Sequence, residues 1–199
     1  QFFTTELNVR AQHRYTIESS LRRALAEQEF QVYYQPKIAM HSGKIIGAEA
    51  LIRWNMPDMG LIPPAEFIPV AEELGLILPI GRWVLEMACQ QTQLWRTGLA
   101  PDLTISVNIS PKQFADEALT SFIDNTLRNS GLPGHALQLE ITEGLLMRDP
   151  EQLLPVFSAL RALGVSISLD DFGTGFSSLS YLQRFPIDNL KIDRSFIQQ

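Results

Sequence analysis

Five times along this chain a short apolar run carries an acid, an amide or a lysine to its far end, and that repeated placement constrains the fold more than any other feature. Ile46 to Trp54 carries Glu49 and Arg53, and Leu103 to Ile109 carries Asn108. Ala136 to Ile141 carries Glu140, with Glu143 just beyond it. Val165 to Leu169 is followed by Asp170 and Asp171, and Asn189 to Ile192 carries Lys191 and leads to Asp193. Runs of this length and β-branched content read as strands. Between them lie helical segments: one from Ser110-Pro111 to about Asn129, one from Asp149-Pro150-Glu151 to Leu163, and a short one from Ser177 to Gln183. Strands alternating with helices through short connections argue for parallel pairing in an α/β fold, as an open sheet or as a barrel. In both, the ligand site lies at the carboxyl ends of the strands, where these side chains converge on one mouth.

The first part of the chain follows a different pattern. Residues 1–29 contain no Gly or Pro and read as a helix, a connector that feeds a domain at 30–199. Phe30 to Ile38 is rich in β-formers, and the turn His41-Ser42-Gly43-Lys44 returns the chain into the Glu49 strand, so the first two strands form an antiparallel hairpin. Within that second strand Glu49, Leu51 and Arg53 share one face, and Ala48, Ala50 and Ile52 the other. Pro57 to Pro64 reads as a loop, Pro64 to about Gly75 as a short helix, and Pro79 to Trp95 as a longer amphipathic helix closed by Gly98.

The chemistry of the convergent groups is narrow. They are carboxylates and one amide, with no Cys or His among them; His13, His41 and His135 fall in the connector or in turns and read as surface residues. All-oxygen donors select hard cations such as Mg²⁺ or Mn²⁺ over Zn²⁺, and four or more carboxylates suffice for two ions. Lys191 then either orients or deprotonates a water, or serves as a buried counter-ion to the acids. The glycine segment from Asp171 to Ser178 lacks the Lys-Ser/Thr ending of a P-loop and is not read as a nucleoside-triphosphate site. A net charge of −6 over 199 residues argues against binding nucleic-acid polymers. The single cysteine, Cys89, excludes a disulfide framework within the chain and points to a reducing, cytoplasmic setting. No run of about 18 apolar residues spans a membrane here, although a longer parent could carry an anchor. Because it opens on Gln1, the chain is expected to belong to something longer.

Taken together, Gln35-Pro36, Glu49-Ala50-Leu51-Ile52-Arg53-Trp54, Phe67 to Glu72, Val107-Asn108-Ile109-Ser110, Leu139 to Glu143, Asp170 to Gly175 and Leu190 to Asp193 resemble the EAL domain, the bacterial cyclic-di-GMP phosphodiesterase family. The resemblance implies a TIM-like (β/α)8 barrel whose first strand runs antiparallel to the rest, with about six of the eight strands in this chain. The family's last two strands, with a further glutamate and a glutamine, are not found before Gln199. It implies hydrolysis of cyclic di-GMP to linear 5′-pGpG by two-metal, in-line attack of a water, with the non-catalytic cyclic-di-GMP receptor as the alternative. Metal ligation by Glu49, Asn108, Glu140, Asp170 and Asp171 is implied, with Lys191, Glu49 and Asp171 as the catalytic set. Gln35, Leu51, Arg53 and Asp193 would line the substrate side, and Glu143 would steady the glycine loop. The partners expected with it are cyclic di-GMP, a second copy of the chain, and fused GGDEF or sensory domains.

Overall fold

A computed structural model describes residues 5–57, 59–98, 100–146, 150–173 and 185–193. Helix α1 (Thr5–Ala26) leads into the hairpin of β1 (Phe30–Ile38) and β2 (Ile45–Met56). A three-residue strand, β3 (Gly60–Ile62), precedes helices α2 (Pro64–Glu73) and α3 (Ile77–Gly98). Then follow β4 (Thr104–Asn108), α4 (Pro111–Phe114), α5 (Leu119–Ser130), β5 (Leu137–Thr142), α6 (Glu143–Leu146), α7 (Pro150–Ala162), β6 (Ser166–Phe172) and β7 (Asn189–Ile192). The strands run side by side in the order β1-β2-β4-β5-β6-β7, with β3 paired to β2. β1 is antiparallel to β2, and every later pairing along that path is parallel.

Four local features depart from the sequence expectation. β3 lies inside the expected 57–64 loop and pairs Trp54, Asn55 and Met56 with Ile62, Leu61 and Gly60. The helix expected from Ser110 to Asn129 is two helices. Ser110 closes a full capping box with Gln113 at the first, and the break falls at Asp116, whose carboxylate accepts the Ala118 N–H at 3.0 Å and an Arg82 N–H at 2.8 Å. Those bonds, the Ala118 amide foremost, hold the Asp116 carboxyl below its ordinary range. α3 begins at Ile77, so that Pro79 sits in its first turn, where no intrahelical N–H is lost, and it runs through Gly98. Finally, β5 passes directly into the short helix α6, which begins on Glu143. The expected Asp149 cap and the 177–183 helix lie outside the described residues.

The strands have two unlike faces. Ile105, Val107, Leu137, Leu139, Ile141, Ile167 and Leu169 are all at most 1% exposed and form the main core with α3, α5 and α7. The alternating positions on the other face are polar: Lys37, Glu49, Ser106, Gln138, Glu140, Ser168, Asp170 and Lys191. That polar face is turned inward. β2 and β7 are separated by four pairings (β2-β4, β4-β5, β5-β6, β6-β7), which on a flat sheet is roughly 19 Å. Lys191 on β7 nevertheless reaches Glu49 on β2 at 3.1 Å. The sheet is therefore rolled as in a TIM-like barrel, with charge inside and helices outside.

A second core joins α1 to the barrel. Ile17, Leu21 and Ala24 recur at helical spacing and pack with Phe30, Trp54 and Phe67. Trp54 is fully buried, and its indole N–H donates to Glu29 at 2.8 Å, while Arg23 holds the other Glu29 oxygen at 3.2 Å. Glu29→Ala would leave that indole N–H buried without its acceptor, a loss of about 2 kcal/mol. Urea unfolding is expected to show this as a lower midpoint at unchanged slope, with Glu29→Gln, which keeps an acceptor oxygen, losing less than half as much.

Candidate metal centre

Register brings the polar face together residue by residue. Gln35 pairs with Glu49, Glu49 with Ser106, Asn108 with Glu140, and Thr142 with Asp170. One oxygen each from Glu49, Glu140 and Asp170 lies within 4.8 Å of the others. Three anions at that spacing repel by about 3 kcal/mol per pair at an effective dielectric near 20. Lys191 offsets this: its Nζ donates to Glu140 Oε2 at 2.6 Å, Asp170 Oδ2 at 2.9 Å and Glu49 Oε2 at 3.1 Å. Burial acts against the ammonium, but the bonds to Glu140 and Asp170 outweigh it and raise its pKa above the ordinary lysine range. Burial likewise pushes the Glu140 carboxyl up, and the Lys191 and Lys37 hydrogen bonds more than reverse that, leaving it below the usual range. Asn108 adds an N–H to Glu49 Oε1 at 2.8 Å.

The donor set fits a hard divalent cation. An octahedral Mg²⁺ with bonds of about 2.1 Å holds its oxygens roughly 3 to 4 Å apart, slightly closer than the 4.8 Å limit of Glu49, Glu140 and Asp170. The Lys191 ammonium stands among the same three carboxylates as a positive charge would. Asp171 follows at the end of β6 with φ 53, a left-handed angle uncommon outside glycine, and its N–H donates to Asp170 Oδ1 at 2.8 Å. Its carboxyl is pushed up by burial and by Asp170 and Asp193, against the opposing pull of Lys191.

Other residues singled out in the sequence lie around this cluster. Gln35 is exposed on β1 beside Glu49. Leu51 and Arg53 line a cavity of about 250 Å³ together with Asn108, Pro64 and Ile68. The Arg53 guanidinium donates to the Ile52 carbonyl at 2.8 Å and lies 5.7 Å over the Tyr33 ring. Asp193 is half-buried just past β7. Glu143 is 6% exposed, and among the described residues neither of its oxygens has a hydrogen-bond partner. The glycine loop to which the resemblance ties it lies outside the described residues from Thr174 onward. His41 and His135 are exposed, and His13 pairs with Glu66 at 2.6 Å on the outside of the barrel. Cys89 is fully buried, which pushes its thiol up to about 12.

One member of the cluster was not singled out from the sequence. Lys37, on β1, donates to Glu140 Oε1 at 2.8 Å and to Gln138 Oε1 at 3.1 Å, and also bonds Ser106 Oγ. The signal was strand alternation, which puts Lys37 on the same face as Gln35.

The EAL domain family model matches residues 18–199. The chain belongs to the EAL family. This EAL domain is 46% identical over 198 residues to MucR of Pseudomonas aeruginosa, a bifunctional diguanylate cyclase/cyclic di-GMP phosphodiesterase, covering 100% of this chain and 29% of that protein. It is 41% identical over 197 residues to the cyclic di-GMP phosphodiesterase NbdA of the same organism, covering 99% of this chain and 25% of NbdA. The structure of the PaMucR phosphodiesterase in complex with c-di-GMP has a TM-score of 0.88 at 47% identity, over 92% of this chain and 74% of that one. The FimX EAL domain from P. aeruginosa bound to c-di-GMP has a TM-score of 0.81 at 26% identity, over 92% of this chain and 73% of that one. Those structures and the rolled sheet agree on the barrel. The chain spans less than a third of the length of the curated relatives named above, at 29% and 25%. Among the described residues no helix is long and apolar enough to cross a membrane.

The depressed Glu140 carboxyl sets a pH dependence. Its pairing contributes fully above the unfolded glutamate value of about 4.3 and is lost as pH falls through the lower folded value. In metal-free protein the urea midpoint is expected to fall as the pH drops below about 5 and on through the depressed Glu140 value, and Glu140→Gln should flatten that fall relative to the unsubstituted chain.

Proposed function

We propose that this EAL domain hydrolyses cyclic di-GMP to linear 5′-pGpG with two divalent cations, Mg²⁺ or Mn²⁺, held by Glu49, Asn108, Glu140, Asp170 and Asp171. The observation that carries the reading is the convergence of Glu49, Glu140 and Asp170, from three strands of one sheet, within 4.8 Å. The names of MucR and NbdA support the substrate.

In this reaction a water oxygen bonds to one phosphorus of the ring in line with the departing 3′ oxygen, the P–O3′ bond breaks, and the 3′ oxygen gains a proton. Bound at these oxygens, the cations would supply charge neutralisation and a more acidic water. Lys191, hydrogen-bonded to Glu140, Asp170 and Glu49, stands where it would orient the attacking water or take its proton. Asp171 provides a carboxylate beside Asp170 to receive that proton. On the substrate side, the Arg53 guanidinium is backed by the Tyr33 ring and directed to a phosphate, with Gln35, Leu51 and Asp193 around it. Glu143 would brace the glycine loop, since a buried carboxylate requires donors. Fused GGDEF or sensory domains belong to the same proposal, supported by relatives such as the bifunctional MucR and the oxygen sensor protein DosP of Escherichia coli, and association with a second copy is proposed alongside them.

The test is incubation of the full-length protein with cyclic di-GMP and one cation at a time, followed by separation of the products. Linear 5′-pGpG is expected with Mg²⁺ or Mn²⁺, and inhibition with Ca²⁺, whose larger and looser shell misplaces the water. Binding without turnover in any cation would instead identify a receptor. Lys191→Ala is expected to lower kcat about a hundredfold with affinity nearly unchanged. Arg53→Ala is expected to weaken calorimetric binding about tenfold; normal binding by that variant would remove Arg53 from the substrate side.

A further inference from the structure

Glu140 is held from two sides. Lys191 meets its Oε2 at 2.6 Å, and Lys37 meets its Oε1 at 2.8 Å. The two ammonium groups are placed differently. Lys191 is shared among Glu49, Glu140 and Asp170, so a cation entering there must compete with it. Lys37 touches Glu140 alone of the three and comes from β1, three pairings from β5 along the sheet.

Its position is built. Lys37 has three acceptors, Glu140, Gln138 and Ser106, for its three N–H donors, and Ser106 Oγ in turn donates to Gln138 at 2.7 Å. The Glu140 side chain is 0% exposed. Gly47 stands opposite Lys37 in the hairpin, and a Cβ there would lie 2.5 Å from Thr104 Oγ1 and 2.9 Å from its carbonyl oxygen, so β2 and β4 approach closely at this level.

Resting on the metal-centre reading above, we propose that Lys37 is a positioning residue: by occupying Oε1 it makes Glu140 a one-oxygen ligand and presents only Oε2 to a cation. The consequence is cation choice. Mg²⁺ takes six tightly placed ligands, whereas Ca²⁺ accepts six to eight and favours carboxylates that give both oxygens. Released from Lys37, Glu140 can turn and offer both. A lysine that only balanced charge would, when removed, change the affinity for both cations alike.

The experiment follows Mn²⁺ bound to the full-length protein by electron paramagnetic resonance, counting the Mn²⁺ that Asp170→Asn removes, with Mg²⁺ or Ca²⁺ added separately as competitor. In Lys37→Met the affinity for Ca²⁺ relative to Mg²⁺ is expected to rise about tenfold. A ratio within about twofold of the unsubstituted protein overturns the assignment, whatever happens to the two affinities together. If Lys37→Met does not fold, Ser106→Ala, which removes one acceptor of the ammonium without touching Glu140, is expected to move the ratio about threefold in the same direction, and no movement overturns it. If Asp170→Asn removes no Mn²⁺, the metal-centre reading falls and this inference with it; if it removes Mn²⁺ but the ratio stays fixed, only the role of Lys37 falls.

Discussion

The contact on which the rest depends is the meeting of Lys191 with Glu49, Glu140 and Asp170, all within 3.1 Å of one nitrogen. The four residues come from four different strands, and no short stretch of chain could assemble them. They meet only because the sheet rolls until β7 faces β2 across its interior. Conversely, three carboxylates could not share that space without a cation among them. Charge pairing and barrel curvature therefore require each other.

Such an interior contributes little net stability, because desolvating ions costs about as much as pairing them returns. Stability comes instead from the opposite face of the same strands, where Ile105, Leu137, Leu139, Ile141 and Leu169 are buried against the helices. Close helix packing is part of that support. A Cβ at Gly81 of α3 would lie 1.9 Å from the buried Gln113 amide, whose side chain completes the Ser110 cap at the end of β4. Two residues before that cap stands Asn108, which donates to Glu49, so the outer packing helps to place a member of the inner cluster.

β2 joins the two halves of the molecule. It pairs with β1, β3 and β4, carries Glu49 inward, places Leu51 and Arg53 on a cavity, and ends in Trp54 and Met56 within the second core. α1 rests on that same core and is tied to α2 by His13–Glu66 and Arg14–Glu73. Order at the Glu49 strand thus depends on contacts reaching from residue 17 to residue 107.

What was legible in the sequence is what is local. Period-two alternation placed Glu49, Leu51 and Arg53 on one face; Ser110-Pro111 marked a helix start; His41 to Lys44 marked the hairpin; and the strand ends gathered the acids that the structure brings together. The split at Asp116, where the carboxylate takes the Ala118 N–H with Arg82 beside it, was hidden because no Gly or Pro between Phe114 and Asn129 marks a break. β3 was hidden because a three-residue strand carries too little pattern to read. The choice between open sheet and barrel was equally out of reach of the residue pattern, since parallel strands alternate with helices in both. The family resemblance implied the barrel, but only tertiary structure shows which charges its curvature brings together, among them Lys37 with Glu140 across 103 positions. The physical reason is that alternation fixes which face a side chain occupies, whereas which charges meet on that face is fixed by the curvature that brings distant strands together.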